Sequence, residues 1–325
     1  MKNKNNEQVK ALVLLSGGLD SILAAKLLME QGIEVEGISF KSNFFDTKAA
    51  EKATKQLGIG LREIDISEEF LTLLKEKPKH GYGVGLNPCI DCHALMFRKA
   101  GEIMRAEGFG FIATGEVLNE RPMSQNKQAL KIVEKEAGLG GYLLRPLSAK
   151  LLEPTIAEKE GLVDREELMD ISGRSRKKQF ELAKKFGITD FPAPAGGCML
   201  TQEGFVKRMK DLMERKKDFN SNDVELIKIG RHFWNDDYWI ILGRDKEENE
   251  KLSRLKTEND MIIEPENFMG PSALIRFFSL SFRVERGISF KEQCKKYIEK
   301  AKELIIEYSP KAENVDNLKF IIHEK

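Results

Sequence analysis

Short apolar runs alternate with amphipathic segments along the first half of the chain, and this alternation restricts the fold more than any other feature. ALVLL (11–15) and VEGISF (35–40) flank a segment from Asp20 to Gly32 whose Ile22, Leu23, Leu27 and Leu28 recur at helical spacing. That is a βαβ unit. The alternation continues with KAAEKATKQLG (48–58) as helix, LREIDI (61–66) as strand, ALMFRKAGEIMRAEG (94–108) as helix, and FGFIATG (109–115) and LLRPLS (143–148) as strands. Strands separated by helices require crossover connections, so the expected fold class is α/β, a doubly wound, mainly parallel sheet. Ligands of such sheets bind beyond the carboxyl ends of the strands, where Ser16, Phe40 and Gly115 fall.

Past Gly138 the pattern loosens. GRSRKKQFELAKKFG (173–187) reads as a basic helix, and Pro192, Pro194, Gly196 and Gly197 exclude a helix from ITDFPAPAGGCML (188–200). EGFVKRMKDLMERKKD (203–218) then leads into a smaller α+β domain. Its expected strands are LIKIG, YWIILG, MIIE, ALIRFF and NLKFIIH, and its expected helices are DKEENEKLSRLK and KEQCKKYIEKAKELI. With 325 residues, two domains are expected, over 1–202 and 203–325. No apolar stretch approaches the ~18 residues of a membrane span, and MKNKNNEQVK is too polar for a signal peptide. A soluble, cytoplasmic protein without a membrane partner is expected.

SGGLDS (16–21) closes the first strand and opens the first helix. Successive backbone N–H groups in a glycine-rich turn, backed by a helix dipole, form an anion site, which Ser16, Gly17 and Gly18 are placed to build. Neither GK[ST] nor GxGxxG is present. Asp20 would repel a phosphate unless a cation lay between them, so the acid points to magnesium-bound polyphosphate. The alternative is an ordinary tight turn with Asp20 as a helix cap.

Four cysteines in a chain of this length are too few for a disulfide scaffold. NPCIDCHAL (87–95) sets Cys89 and Cys92 at a helix entrance, where the dipole favours thiolates, and Cys198 lies on a glycine-rich loop free to fold back over the crevice. Redox, zinc and iron–sulfur roles are all open to these residues, with His93 or Asp91 available as a fourth zinc ligand. Cys294 falls inside an amphipathic helix as a bystander. His80, His93, His232 and His323 form no spaced metal motif, and a packing or capping role is expected for His93.

SGGLDS resembles the pyrophosphatase loop of the PP-loop enzymes, which cleave ATP between the α and β phosphates and share the adenine nucleotide alpha hydrolase-like fold. ATGEVLNERPMSQ (113–125) resembles the second nucleotide segment of the tRNA 4-thiouridine synthases in that family, and RPLS (145–148) a following element. The resemblance covers roughly residues 10 to 200. It implies that Gly17, Gly18 and the backbone through Ser21 hold pyrophosphate, that Asp20 serves Mg2+, and that the peptides at Phe40 and Gly115 lie near adenine and ribose. It also implies tRNA as substrate and a 4Fe-4S cluster on Cys89, Cys92 and Cys198 with one iron open to hydrosulfide. A persulfide relay is the alternative within the family.

IKIGRHFWNDDYWIILGRDKEENEKL (227–252) with GPSALIR (270–276) resembles the NFACT-R RNA-binding domain of ribosome-associated proteins. Arg231, His232, Trp234, Arg244 and Arg276 are then candidate phosphate or base contacts, since Arg and aromatics combine charge with stacking. The alternative puts Phe233, Trp234 and Trp239 in a small core. Basic residues also cluster at Arg174, Arg176, Lys177, Lys178, Lys184 and Lys185, and at Lys207, Arg208, Lys210, Arg215, Lys216 and Lys217, beneath a net charge of only +1. Such stripes position RNA without reading its sequence. The known 4-thiouridine synthases carry an N-terminal RNA-binding module, and here only about ten residues precede the first strand.

The expectation is an ATP-dependent tRNA uridine thiolase, a sulfurtransferase that adenylates uridine and then transfers sulfur, with 4-thiouridine at position 8 as the first choice and positions 34 and 54 open. Its partners would be tRNA and a sulfur donor, either hydrosulfide or a persulfide carrier. A homodimer is compatible with the sequence, which does not decide it. The alternatives are a 2-thiouridine synthase, a desulfidase, an amide-forming ligase and a non-catalytic, ribosome-associated RNA-binding protein.

Overall fold

A computed structural model describes residues 8–193, 198–278 and 294–323. Pro194, Gly196 and Gly197 of the breaker cluster, and residues 291–293 of the expected last helix, lie outside them. The chain divides into two compact units at Glu203/Gly204. Among the described residues no helix is long and apolar enough to cross a membrane.

The first unit is a five-stranded parallel sheet of order β3-β2-β1-β4-β5, built from β1 (Lys10–Leu14), β2 (Glu34–Lys41), β3 (Leu61–Asp65), β4 (Phe111–Thr114) and β5 (Leu143–Leu144). β1 is central and, after the exposed Lys10, apolar because both of its faces are covered. Val13, Leu15 and Ala25 pack on one side with Phe111 and Leu144. α1 (Leu19–Glu30) places Leu19, Ile22, Leu23 and Leu27 in a second cluster with Leu182, Ala183 and Ile188 around α7 (Lys177–Lys185). The remaining helices are α2 (Lys48–Leu57), α3 (Ser67–Lys75), α4 (Cys89–Glu107), α5 (Lys127–Glu136) and the short α6 (Ile156–Lys159). The chain builds β2 and β3 on one side of β1 and then crosses to β4 on the other. Leu14 pairs in register with both Ile38 and Thr114. The switch point therefore lies beyond Leu14 and Thr114, where a ligand crevice opens in such sheets.

The second unit holds α8 (Glu203–Arg215), α9 (Ser221–Leu226), α10 (Lys246–Leu255) and α11 (Lys295–Glu307) with an antiparallel sheet of order β10-β8-β9-β7-β6. Its strands are β6 (Arg231–Trp234), β7 (Tyr238–Leu242), β8 (Asp260–Pro265), β9 (Ala273–Phe277) and β10 (Phe320–His323). α11 covers one face, packing Tyr297, Ile298, Ala301 and Ile305 against Ile240, Ile263 and Ile275.

Two expected strands are corrected. LLRPLS is a strand only at Leu143–Leu144, because Pro146 has no N–H for a ladder and a 3-10 turn follows at Ala149–Leu151. LIKIG is the end of α9, a capping-box helix from Asn220, and the turn after it; Gly230 at φ +75° then starts β6. Helices α3, α5, α6 and α9 had no counterpart among the expected elements.

Candidate active site

The turn after β1 depends on two glycines. Gly17 has φ +77°, and a Cβ there would stand 2.2 Å from the Ala49 carbonyl carbon at the start of α2. Gly115, directly after β4, is pressed against α1 so closely that a Cβ would lie 2.4 Å from the Ser21 nitrogen. The first loop and the second nucleotide segment are thus in backbone contact. Gly18 is the N-cap of α1 and no side chain caps the helix, so Asp20 is not a cap. The Ser21 hydroxyl donates to the Gly18 carbonyl at 2.8 Å, and Gly18 N–H donates to Ser16 Oγ at 3.3 Å. Ser21 is buried and shapes the loop with its side chain. Phe40 is also buried, near the end of β2. A cavity of about 330 Å³ opens beside Gly17 and Ile22, and Lys48, Lys52, Asp46 and Asp190 are among its lining residues. The sequence reading passed over the two lysines, although their i, i+4 spacing at the start of α2 is a visible signal.

Asp20 sits half-buried with Arg176 Nη2 3.6 Å from its Oδ2. Burial raises its pKa, offset only in part by Arg176 and then by Gln179. Its Oδ1 is buried without a hydrogen-bond partner. Glu120, from the second segment, is 4.0 Å from Arg176 Nε, and burial followed by the charge of Asp20 raises its pKa too. Two carboxylates short of positive charge suit Mg2+, which takes one or two protein carboxylates and completes its shell with water and phosphate.

Cys198 is carried to the CxxC by tertiary contacts. Leu86 N–H donates to the Leu200 carbonyl at 3.0 Å, and Met199 N–H to the Phe44 carbonyl at 3.2 Å. These bonds pin the segment after Cys198 against the loop that leads into α4 and against the β2–α2 loop. Cys92 is buried, and Cys89 and Cys198 are half-buried. Burial pushes the Cys92 thiol well up, and Cys198 and Cys89 push it further. Burial raises Cys198 to about 11 against the help of the Leu200 N–H, with Cys89 adding to the rise. The expected thiolates are therefore disfavoured at Cys92 and Cys198: α4 does begin at Cys89, but desolvation exceeds its dipole. Among the described residues no three His, Cys, Asp or Glu side chains are grouped, as they stand, to hold a metal ion. Cys89 and Cys198 both act on Cys92, and Cys89 acts on Cys198, so two crowded, protonated thiols stand beside a third as a donor set that a cation would deprotonate; in geometry, they need a local adjustment to enclose one.

His93, next to Cys92, places Nδ1 3.0 Å from Glu116 Oε1, and Arg145 Nε donates to Glu116 Oε2 at 3.0 Å. Burial would raise the Glu116 pKa, but Arg145 and His93 outweigh it and keep the carboxylate ionised. Ser148 accepts from Leu118 N–H at 2.9 Å and donates to the Ile171 carbonyl at 2.7 Å. The RPLS element thus anchors the second segment. Contacts run unbroken from the cysteines through His93, Glu116 and Gly115 to Asp20.

Residues 9–172 match the family described as the tRNA methyl transferase HUP domain. The chain belongs to that family. Among curated relatives, the tRNA-specific 2-thiouridylase MnmA of Geotalea uraniireducens is 29% identical over 188 residues, 50% of this chain and 49% of the relative. The protein of the same name from Psychromonas ingrahamii is 26% identical over 277 residues, 76% of this chain and 74% of the relative. The chain spans about half the length of the first of these. A solved 4-thiouridine synthetase–RNA complex with bound ATP is 24% identical with a TM-score of 0.36, covering 55% of this chain and 52% of that one. Within the HUP-domain match lie Ser16 to Ser21, Phe40, Cys89, Cys92, Gly115, Glu116 and Arg145; Arg176, Gln179 and Cys198 lie beyond it.

In the second unit the expected RNA contacts separate. Arg276 is corrected: it is 5% exposed and salt-bridged to Asp223 at 2.7 Å and to Asp260 at 2.6 Å. β9 alternates Ile275 and Phe277 toward α11 with Arg276 toward α9, and because both faces are covered the arginine is internal. His232 accepts from Trp239 Nε1 at 3.2 Å; burial, then Arg208 and Arg244, lower its pKa to about 3, so it is neutral. Trp234 stacks on the fully buried Trp239 with ring centroids 4.4 Å apart, a core role for part of the aromatic set. Arg244 pairs with Glu248, and Arg231 is exposed with its guanidinium over Tyr308. In the second basic stripe, Arg208 donates to the Ile227 carbonyl and Lys216 pairs with Asp223, while Lys207, Lys210 and Lys217 face solvent.

Proposed function

We propose that this chain is an ATP-dependent tRNA uridine thiolase. What carries the reading is the backbone contact between Gly115 and Ser21, continued through Glu116 and His93 to the CxxC, which sets a glycine-rich nucleotide loop beside three converging cysteines. A uridine carbonyl oxygen attacks the α phosphorus of ATP, pyrophosphate leaves, and a sulfur nucleophile brought to the cysteines displaces AMP, which departs with the oxygen. Gly17, Gly18 and the start of α1 bind the leaving pyrophosphate, and the backbones at Phe40 and Gly115 border the adenosine. Asp20 with Glu120 would hold Mg2+, which neutralises phosphate charge when bound.

Cys89, Cys92 and Cys198 would hold a 4Fe-4S cluster, which offers hydrosulfide an iron position free of cysteine. The raised pKa of two of the thiols supports this, since coordination deprotonates a thiol that is otherwise inert. The second reading is a persulfide relay, favoured by the lack of a ready-formed metal grouping among the described residues. 4-Thiouridine at position 8 remains our first product, and the relatives' name makes 2-thiouridine its rival. For the second unit, which spans residues 204–325, we propose an NFACT-R-like RNA-holding role in which Arg231, Arg244, Lys207, Lys210 and Lys217 contact phosphates.

The test is anaerobically purified protein incubated with unmodified tRNA, Mg·ATP and sulfide, read by pyrophosphate release and mass spectrometry of the nucleosides. A thionucleoside formed with equimolar AMP and pyrophosphate supports the proposal, and its absence with folded protein sinks it. Iron and acid-labile sulfide counts decide between cluster and relay.

A further inference from the structure

α7 buries the face formed by Gln179, Leu182 and Ala183, spaced i, i+3, i+4, against α1. Two of these are ordinary core residues. The third is an amide with no solvent exposure, and neither Gln179 Oε1 nor Gln179 Nε2 has a hydrogen-bond partner. Leaving such a group unsatisfied is costly, and an apolar residue at that position would avoid the cost. Gln179 lies beside Asp20, near enough to favour its ionised form but short of hydrogen-bond geometry. Arg176, three residues earlier, is in the same condition. Its Nε is buried without a partner, and its guanidinium stands 3.6 Å from Asp20 and 4.0 Å from Glu120, a loose ion pair with each. Together with Asp20 Oδ1, four of the eight buried side-chain polar atoms that lack a partner among the described residues belong to these three side chains. Arg121 adds a second positive charge felt by both carboxylates.

Unmet donors and acceptors gathered at one point mark a place that a polar ligand completes. The donors here are a guanidinium and an amide, and the acceptors are two carboxylates; a multiply charged oxyanion carrying a divalent cation matches both sets. We infer that Arg176 and Gln179 form a further wall of the nucleotide site, binding the pyrophosphate half of Mg·ATP, and that Arg176 stands in for the cation at Asp20 and Glu120 until nucleotide arrives. On binding, the guanidinium exchanges its two distant carboxylates for phosphate oxygens, Gln179 donates to the same group, and Asp20 is released to the cation. Both residues lie beyond the part of the chain that matches the HUP-domain family. The inference rests on reading SGGLDS as an ATP site.

The experiment is calorimetric titration of the full chain with inorganic pyrophosphate plus Mg2+, and separately with AMP, for wild type, R176Q, R176K and Q179L. R176Q and Q179L should weaken pyrophosphate by about tenfold or more, the usual worth of a charged or buried hydrogen bond. AMP should bind all four proteins alike, and R176K should recover part of the loss. Q179L should melt at or above the wild-type temperature, because it removes an unsatisfied amide; a purely structural glutamine would melt lower. Mn2+, followed by electron paramagnetic resonance without nucleotide, should bind R176Q more tightly than wild type. Pyrophosphate affinity unchanged in both R176Q and Q179L overturns this inference alone. A wild-type protein that binds neither pyrophosphate nor ATP overturns it together with the ATP-site reading.

Discussion

His93 and Glu116 lie 3.0 Å apart, and that contact ties the cysteine helix to the segment that packs on the nucleotide loop. Glu116 also carries Arg145, which is only 4% exposed and whose other carboxylate partner is Glu134 at 3.3 Å, so removing the Glu116 charge leaves the buried guanidinium with one ion pair. E116Q should lower stability by about 1.5–3 kcal/mol, measured by urea denaturation. H93Q, which leaves the Glu116–Arg145 pair intact, should cost about 1 kcal/mol or less.

Arg276 and Arg231 should respond oppositely. R276A breaks a buried pair with Asp223 and Asp260 and should unfold the second unit or destabilise it by about 3–5 kcal/mol. R231A should leave the melting temperature unchanged. If that unit holds RNA as proposed, R231A weakens tRNA binding and reduces the slope of log affinity against log salt by about one.

G115A places a methyl within 2.4 Å of the Ser21 nitrogen and 2.5 Å of the Asp20 carbonyl carbon, both backbone atoms. The two segments must part, and ATP binding should fall by about tenfold or more, since small displacements of a binding constellation are expensive. At Gly140 an added methyl meets nothing within 4 Å, so G140A should bind ATP as wild type does.

His232 links stability to acid. Its pKa is about 3 in the fold and about 6.5 in the unfolded chain, so between these values the unfolded chain binds the additional proton. The native state loses stability as pH falls below about 6.5, by about 2 kcal/mol at pH 5. Burial, then Arg208 and Arg244, hold the imidazole neutral, and the Ile227 backbone and Glu248 oppose them. Urea midpoints at pH 7 and pH 5 should differ less in H232Q than in wild type.

In metal-free protein, iodoacetamide mapped by mass spectrometry should label Cys89 first. Cys198, at about 11, exposes only about one thiolate in ten thousand at pH 7 and should lag. Cys92 and Cys294 are buried and should react only on unfolding.

The parallel sheet, the turn at Ser16 to Ser21 and the start of α4 at Cys89 were legible because each rests on local chemistry. Helical and strand periods, glycine torsions and a CxxC at a helix entrance are written in a few consecutive residues. The edge of β5 and the LIKIG segment were misjudged because an apolar run of five residues has no period of its own, and Pro146 and Gly230 decided its length and place. By itself the sequence determined the succession of parallel strands and helices and set SGGLDS and the CxxC at the starts of two helices. Only the tertiary structure decided that Arg276 is internal, that Gln179 takes a core position beside Asp20, that Cys198 reaches Cys92, and that burial raises those thiols. Desolvation and charge pairing depend on what covers a side chain from distant parts of the chain, and no local pattern records that cover.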